Sequence, residues 1–331
     1  MNDENKTVIG QAQTVVDAAD SPQQEPKTAM TQSVQPAVDK VAEGEVAEKR
    51  KQTIEEATTA LAETKKALGA LDEQNTAKAL DALAVVTGKL ELIVARDPQM
   101  ALAPVDVQTV IHDVFSGTTA IEDMIDEARR ALKHGEVQKA RHLLSGLASE
   151  IVVQTTSIPL ATYPQAIKAV APLIDQGKLD EAKVALQAVL GTVVVSKNSV
   201  IPLPVERARA MLKEAASLAE NAERTKEESK RLTEMLKDAK KQIELAELLG
   251  YGGRKKEFRD IYTQLQEVEK KVASGRSGKG FLDGIVTSFR SLFDHAAETK
   301  AEKEAGQNEG DADNAENPVE KDQKSTQSMN T

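Results

Sequence analysis

Four histidines, no cysteine and a surplus of carboxylates are the reactive groups this chain offers. His112, His134, His142 and His295 include no pair at i, i+4 with an intervening glutamate, the spacing that sets two imidazoles on a zinc ion from one helix face. His134 and His142 straddle a turn and read as helix-end residues. The stretch "SGRSGKGF", residues 274–281, superficially resembles a phosphate-binding loop. Yet Ala273 stands where the loop's first glycine belongs, Gly280 stands where a hydroxyl would hold magnesium, and the stretch follows a helix instead of a strand. It reads as a flexible joint. There is no G-x-S-x-G elbow, and without cysteine there is no thiolate nucleophile, disulfide framework or cysteine zinc site. Carboxylates could supply an acid/base pair, but most fall on polar helix faces. No catalytic, cofactor-binding or metal-ligating residue is legible, and the expectation is a protein that is not an enzyme and carries no cofactor.

One cluster rises above that background. Phe281, Phe289 and Phe293 are three of the five phenylalanines, and with Ile285 and Leu292 they fall on one face of a helix. Burying such a face contributes about 1.5–3 kcal/mol per large side chain, so it needs a cover. The covers available are the chain's own core, a sister subunit, a protein partner or a membrane surface. Few lysines on the polar face argue against the membrane. The joint "GRSGKG" before the helix points to a docking arm, and the expected role is self-association.

The charge distribution sets the frame for these residues. Residues 1–48 hold three lysines against nine acidic residues, and residues 301–331 hold three lysines against eight. The segment between them is close to neutral, which argues against a nucleic-acid partner, since phosphate binding needs a net basic face. Both ends are poor in large apolar groups and are expected to be disordered acidic tails. The start, "MNDENKTVIGQAQ", has no basic residue followed by an apolar run. No stretch approaches the ~18 apolar residues of a membrane-spanning helix. A cytoplasmic location is expected, with the periplasm as the alternative.

Between the tails the pattern is helical and repeats. Thr53 and Glu56 have capping-box spacing. Three segments then resemble one another: "LDEQNTAKALDAL" from Leu71, "LKHGEVQKARHLL" from Leu132 and "IDQGKLDEAKVAL" from Ile174. Each closes one helix, turns, and opens another, with Ala79/Leu83, Ala140/Leu144 and Ala182/Leu186 at matching positions. The turn residue is Gly135 or Gly177 in the second and third copies, where a C′ residue needs positive φ, and Gln74, next to Asn75, in the first. A short β-branched run follows each hairpin, at 91–95, 150–156 and 192–196, and a proline follows each run: Pro104, Pro159 and Pro202. Proline cannot donate to a ladder and so ends the strand. Pro164 and Pro204 then suit a helix start. From Pro204 a heptad-like stripe of Val205, Ala208, Leu212, Ala215 and Ala219, then Leu232, Met235, Ala239 and Ile243, predicts an antiparallel helical hairpin ending at Gly250. Thr225 and Glu228 form a second capping box. The predicted fold is mainly α: helical hairpins with short strands over 49–253, a helical arm over 254–300, and tails at 1–48 and 301–331.

The stretches "LELIVARDPQMALAPVDV", "GLASEIVVQTTSIPLATYP", "SVIPLPVERA" and "LAELLGYG" make the chain resemble the YfdX family of bacterial stress-associated proteins over roughly residues 50–255. The resemblance implies a largely helical domain with a small β element, a tendency to self-associate, and a part in survival of acid, antibiotic or heat stress. Longer members sit in heat-tolerance gene clusters with chaperones and proteases, while shorter ones are typically exported. The family has no settled catalytic residues, so none is carried over. The leading functional expectation is an oligomeric chaperone-like or scaffolding factor whose partners are other copies of itself and unfolded client proteins. The alternative is a small-molecule binding protein with clefts between hairpins near Tyr163 and Tyr251.

Overall fold

Residues 24–253, 255–278, 280 and 282–293 are described by the structure, a computed structural model. The expected tail at 301–331, the first residues of the chain, Phe281 and His295 lie outside them. Among the described residues the fold is mainly helical with one small antiparallel sheet. The chain forms two compact units divided inside one helix, Met1–Ala210 and Met211–Thr331.

The first unit is built from a repeated helix–turn–helix–strand. Its elements are α1 (Ala29–Arg50), α2 (Glu55–Asp72), α3 (Thr76–Arg96), β1 (Leu102–His112), α4 (Thr118–Lys133), α5 (Val137–Ser145), β2 (Glu150–Pro159), α6 (Tyr163–Asp175), α7 (Leu179–Leu190), β3 (Val194–Pro202) and the start of α8 (Leu203–Glu220). The sheet order is β1-β2-β3. β1 runs antiparallel to β2 from Leu102 opposite Pro159 to His112 opposite Glu150, and β2 to β3 from Glu150 opposite Pro202 to Ser157 opposite Val194.

The three hairpin turns share one solution. Gln74, Gly135 and Gly177 have φ of 57°, 76° and 75°. The next residue in each donates its N–H back across the turn, Asn75 to Ala70 O, Glu136 to Ala131 O and Lys178 to Leu173 O, at 2.8, 2.9 and 2.9 Å. That back-bond satisfies a carbonyl the ending helix would otherwise strand. Pro159 and Pro202 close their strands, and Pro164 and Pro204 lie in the first turns of α6 and α8.

Hairpins α2–α3 and α6–α7 pack on each other, α2 on α7 and α3 on α6. Leu71, Leu83, Val86, Leu90, Ile167, Ile174 and Leu186 fill the space between them. Tyr163 is buried there, its hydroxyl donating to Thr64 Oγ1 at 3.1 Å.

Three expectations are corrected. Residues 29–48 are helical, not a disordered tail. Val34, Val38, Ala42 and Val46 recur every four residues and are buried, three of them against Val107, Ile151, Val153 and Ile201 of the sheet. Average composition hides such a narrow stripe, and Pro36 is tolerated on the exposed side. Second, residues 91–95 belong to α3, because Val86, Leu90 and Ile93 continue a helical stripe. The strand of this repeat is β1, which contains Pro104 beside a bulge instead of ending at it; an edge strand accommodates proline. Third, Thr53 does not cap α2: its hydroxyl donates to Arg50 O at the end of α1 at 2.7 Å, the N-cap of α2 is Ile54, and Glu56 pairs with Arg96.

The second unit holds the rest of α8, α9 (Lys226–Leu248), α10 (Lys255–Ala273) and α11 (283–293). Thr225 and Glu228 form the reciprocal capping box of α9, and Arg231 binds Glu214 of α8 at 2.6 Å. The expected docking arm is corrected too. Ile285, Phe289, Leu292 and Phe293 are buried within this unit. Phe293 meets Phe258 of α10 edge-on at 5.8 Å and Phe289 at 4.6 Å. Gln264 Nε2 donates to Ser288 Oγ at 3.0 Å. Gly252 makes the seat, since a Cβ there would stand 2.7 Å from the Phe293 ring. The joint is also pinned: Gly278 N–H donates to Ala219 O, and Arg224 donates to Arg276 O at 2.8 Å. The apolar face has its cover in the chain itself.

Two glycine substitutions should therefore move stability in opposite directions. Gly177→Val forces a β-branched residue to positive φ and should destabilise by about 1–3 kcal/mol. Gly69→Ala, in the interior of α2 with nothing within 4 Å of the new Cβ, should stabilise by about 0.5–1 kcal/mol. Urea unfolding of the two variants decides it; like signs would contradict this backbone geometry.

Candidate functional site

The most concentrated polar chemistry in the first unit lies where β1 ends. Asp113 follows the strand, and the loop 113–117 leads into α4 at Gly117, the N-cap. Arg207 comes from the first turns of α8, Gln35 from α1, and Lys27 from the segment before α1. Arg207 is fully buried, the largest such side chain among the described residues. Its Nη1 and Nη2 donate to Oδ1 and Oδ2 of Asp113 at 2.9 and 2.7 Å, a two-toothed fork. Nη2 also reaches Gln35 Oε1 at 3.4 Å, and the guanidinium carbon stands 5.8 Å from the Phe115 ring centroid. Lys27 Nζ adds a second cation 2.6 Å from Asp113 Oδ2.

The segment carrying Lys27 is laid along the loop by its backbone. Glu25 N–H donates to Phe115 O at 2.6 Å, and Phe115 N–H donates to Gln24 Oε1 at 2.9 Å. Thr28 then caps α1 by accepting from Thr31 N–H. Burial works against ionisation of Asp113, but Arg207 and then Lys27 outweigh it and hold the carboxyl below its ordinary range. Both carboxylate oxygens are occupied by cations, so the group is committed to holding segments together.

A second feature adjoins this one through α8. Leu203 N–H donates to Ser149 O at 2.9 Å, tying the end of β3 to the start of β2. β3 is an edge strand whose outer side has no strand partner among the described residues. Val194, Val195 and Val200 are exposed on it. Lys197 is its one charge. The other edge is treated differently. Along β1, Ile54 N–H donates to Pro104 O, Thr58 Oγ1 donates to Val105 O at 3.0 Å, and Pro104 has no N–H to offer.

The residues singled out from sequence are dispersed. His112 ends β1, His134 caps α4 with its Nδ1 3.0 Å from Arg130 O, and His142 lies on α5. No group of three or more acidic, histidine or cysteine side chains suited to a metal occurs among the described residues. No helix among them is long and apolar enough to cross a membrane. Tyr163 fills the space between two hairpins instead of lining a cleft, and Tyr251 follows α9, its N–H donating to Ala246 O. Sequence reasoning missed Asp113 and Arg207: nothing in their spacing pairs them. An arginine among the buried positions Val205, Ala208 and Met211 of α8 is the one available signal, and Arg209 beside it blurs even that.

The pattern of the family described as YfdX protein matches residues 60–199, from α2 into β3. A solved structure of YfdX from Salmonella Typhi is similar at 16% identity, covering 46% of this chain and 93% of that one, with a TM-score of 0.31. No curated protein matches the chain.

Asp113→Asn should leave the Arg207 guanidinium buried without its counter-charge and cost about 3–5 kcal/mol. Because the folded carboxyl titrates below its unfolded value of ~3.9, its contribution is complete above that value and is lost as pH falls through the folded one. Urea unfolding from pH 7 to pH 2 should show the wild type losing this increment in acid and the variant lacking it throughout. An unchanged midpoint at pH 7 would mean the pair carries no net stability.

Proposed function

We propose, from the premise that residues 60–199 belong to the YfdX family, that this chain is a non-enzymatic, chaperone-like stress protein that holds extended segments of unfolded clients along β3. The observation that carries this reading is the open edge of that strand. A row of unpaired N–H and C=O groups is a template for strand addition, and natural proteins usually blunt it with charge, proline or a covering element. β1 is blunted by Pro104, Ile54 and Thr58. β3 presents Val194, Val195 and Val200, with Lys197 and a bulge at Asn198 between them and, among the described residues, no covering helix hydrogen bond like those along β1.

An unfolding protein offers the matching chemistry. Its backbone is extended and unpaired, and its β-branched and aromatic side chains are in water. Main-chain hydrogen bonds to an edge supply affinity without demanding one sequence, which suits a factor that meets many clients. The stress context comes from the family resemblance. The chaperone-like action is what the edge adds to it.

The test is light scattering of a heat-labile client, warmed with a stoichiometric amount of the full chain. The wild type should delay aggregation. Val195→Lys with Val200→Lys removes the exposed apolar groups and charges the edge, so it should lose most of that delay. Both positions are exposed, so melting should change little. Equal protection by the variant, or none by the wild type, would refute the strand-edge reading.

A further inference from the structure

The three hairpins are built alike and treated unequally. Three residues before the turn stand Leu71, Leu132 and Ile174; nine after it stand Leu83, Leu144 and Leu186. In the first and third hairpins all four of these side chains are buried, at 0%, 3%, 4% and 0% exposure, inside the core the two hairpins share. In the second hairpin Leu132 is 51% exposed and Leu144 48%. Val137, just past its turn, is 57% exposed. The alanine five residues past each turn, Ala79, Ala140 or Ala182, is fully buried in all three, so the hairpins themselves close in the same way. What α4–α5 lacks is the second hairpin that α2–α3 and α6–α7 supply to each other.

We propose that the α4–α5 hairpin docks on the α4–α5 hairpin of a second copy of this chain. The internal pair shows how. There the first helix of one hairpin lies on the second helix of the other, α2 on α7, and the second on the first, α3 on α6. That exchange is what a two-fold axis produces when the partners are identical, with α4 on the partner's α5 and α5 on the partner's α4.

The hairpin also carries charges along its apolar stripes. The middle of α4 carries Glu122, Asp123, Asp126 and Glu127 and its end Arg129, Arg130 and Lys133, while α5 carries Lys139 and Arg141. Lys139 and Glu127 already pair within the hairpin at 2.9 Å, and Asp126 pairs with Arg129 at 2.7 Å. Glu122 and Arg141 have no ion-pair partner among the described residues. Each borders the apolar stripe of its helix. Glu122 lies three residues before Ile125, which shares a face with Leu132. Arg141 lies between Val137 and Leu144. In the internal pair Lys183 meets Asp72 at 3.5 Å, and the matching places in the second hairpin are Arg141 and Lys133, so the apolar side chains and not these charges carry the pairing. This surface does not involve β3, and it stands or falls apart from the client-binding reading.

The chain has no cysteine, so engineered thiols report the interface directly. Single variants Leu132→Cys and Leu144→Cys, mixed and mildly oxidised, should cross-link to each other more than either does to itself. The Leu132→Asp, Leu144→Asp variant should fall from at least twice the 35.7 kDa chain mass to that of one chain in light scattering, with helical content retained. Val195→Lys with Val200→Lys should leave the mass unchanged. A wild type that is monomeric at all concentrations overturns the proposal, and so does a double aspartate variant that keeps the wild-type mass. A monomeric wild type in which the aspartate variant melts lower would show that another segment of the same chain covers these leucines. If the aspartate variant does not fold, the cross-linking pattern decides alone: no preference for the mixed pair rejects the two-fold arrangement.

Discussion

A guanidinium with no exposed surface must be neutralised where it lies, and that constraint organises the first unit. Arg207 cannot leave its charge unpaired without a cost of several kcal/mol, so Asp113 has to stand within hydrogen-bond reach. Asp113 is the residue after β1, and its position fixes where that strand ends and where the loop to α4 begins. Arg207 lies five residues after β3 ends, and its position fixes how α8 leaves the sheet. Lys27 and Gln35 bring in the segment before α1 and α1 itself. Residues far apart in sequence are thus held by a single bidentate pair. A hydrophobic contact in its place would hold them less directionally, because a fork of two parallel hydrogen bonds fixes orientation as well as distance.

Around that point the repeat does the rest of the work with inexpensive parts. Each unit needs one left-handed residue, one small residue where the two helices cross, and one strand of β-branched side chains. Gln74 shows that the turn is set by geometry and not by glycine alone: a glutamine holds φ at 57° there because the Asn75 back-bond and the packing of both helices outweigh a modest backbone cost. The alanines at 79, 140 and 182 have no exposed surface, so a larger side chain would push the helices apart. The turn and the crossing are local properties, and they survive in the hairpin that lacks a partner as well as in the two that have one.

This division explains what could be read in advance. Hairpins, turns, the second and third strands and the α9 capping box all depend on residues within a few positions of each other, so spacing reveals them. The first strand was displaced because Ile93 and its neighbours are β-branched yet continue a helical stripe, and only the sheet register settles which pattern prevails. Helix α1 was hidden because Val34, Val38, Ala42 and Val46 are small and sparse; they suffice only once a sheet exists for them to cover. The phenylalanine helix was legible as amphipathic, but its cover was not. Gly252 and Phe258 precede it by tens of residues, and nothing local says that Phe293 meets them. The Asp113–Arg207 pair is the extreme case, a contact of long sequence separation between two residue types that are abundant throughout the chain.

The same logic bears on why two surfaces of the first unit stay open. A stack of similar units buries each face against its neighbour, and whatever lacks a neighbour must be capped or left for another molecule. The chain caps where it can. Pro104, Ile54 and Thr58 close the β1 edge, and α1 covers one face of the sheet. On β3 it places only Lys197, beside a bulge at Asn198, and leaves Val194, Val195 and Val200 exposed. Nor does it replace Leu132 and Leu144 with polar residues, although their helices would form without them. Leaving apolar groups in water forgoes about 25 cal/mol for each Å² that could be buried. A fold that covers one edge with a helix and leaves the other with a bulge and one lysine is asymmetric in a way that local stability does not require. On the two proposals made above, the exposed valines and leucines are surfaces completed by binding and not defects of packing.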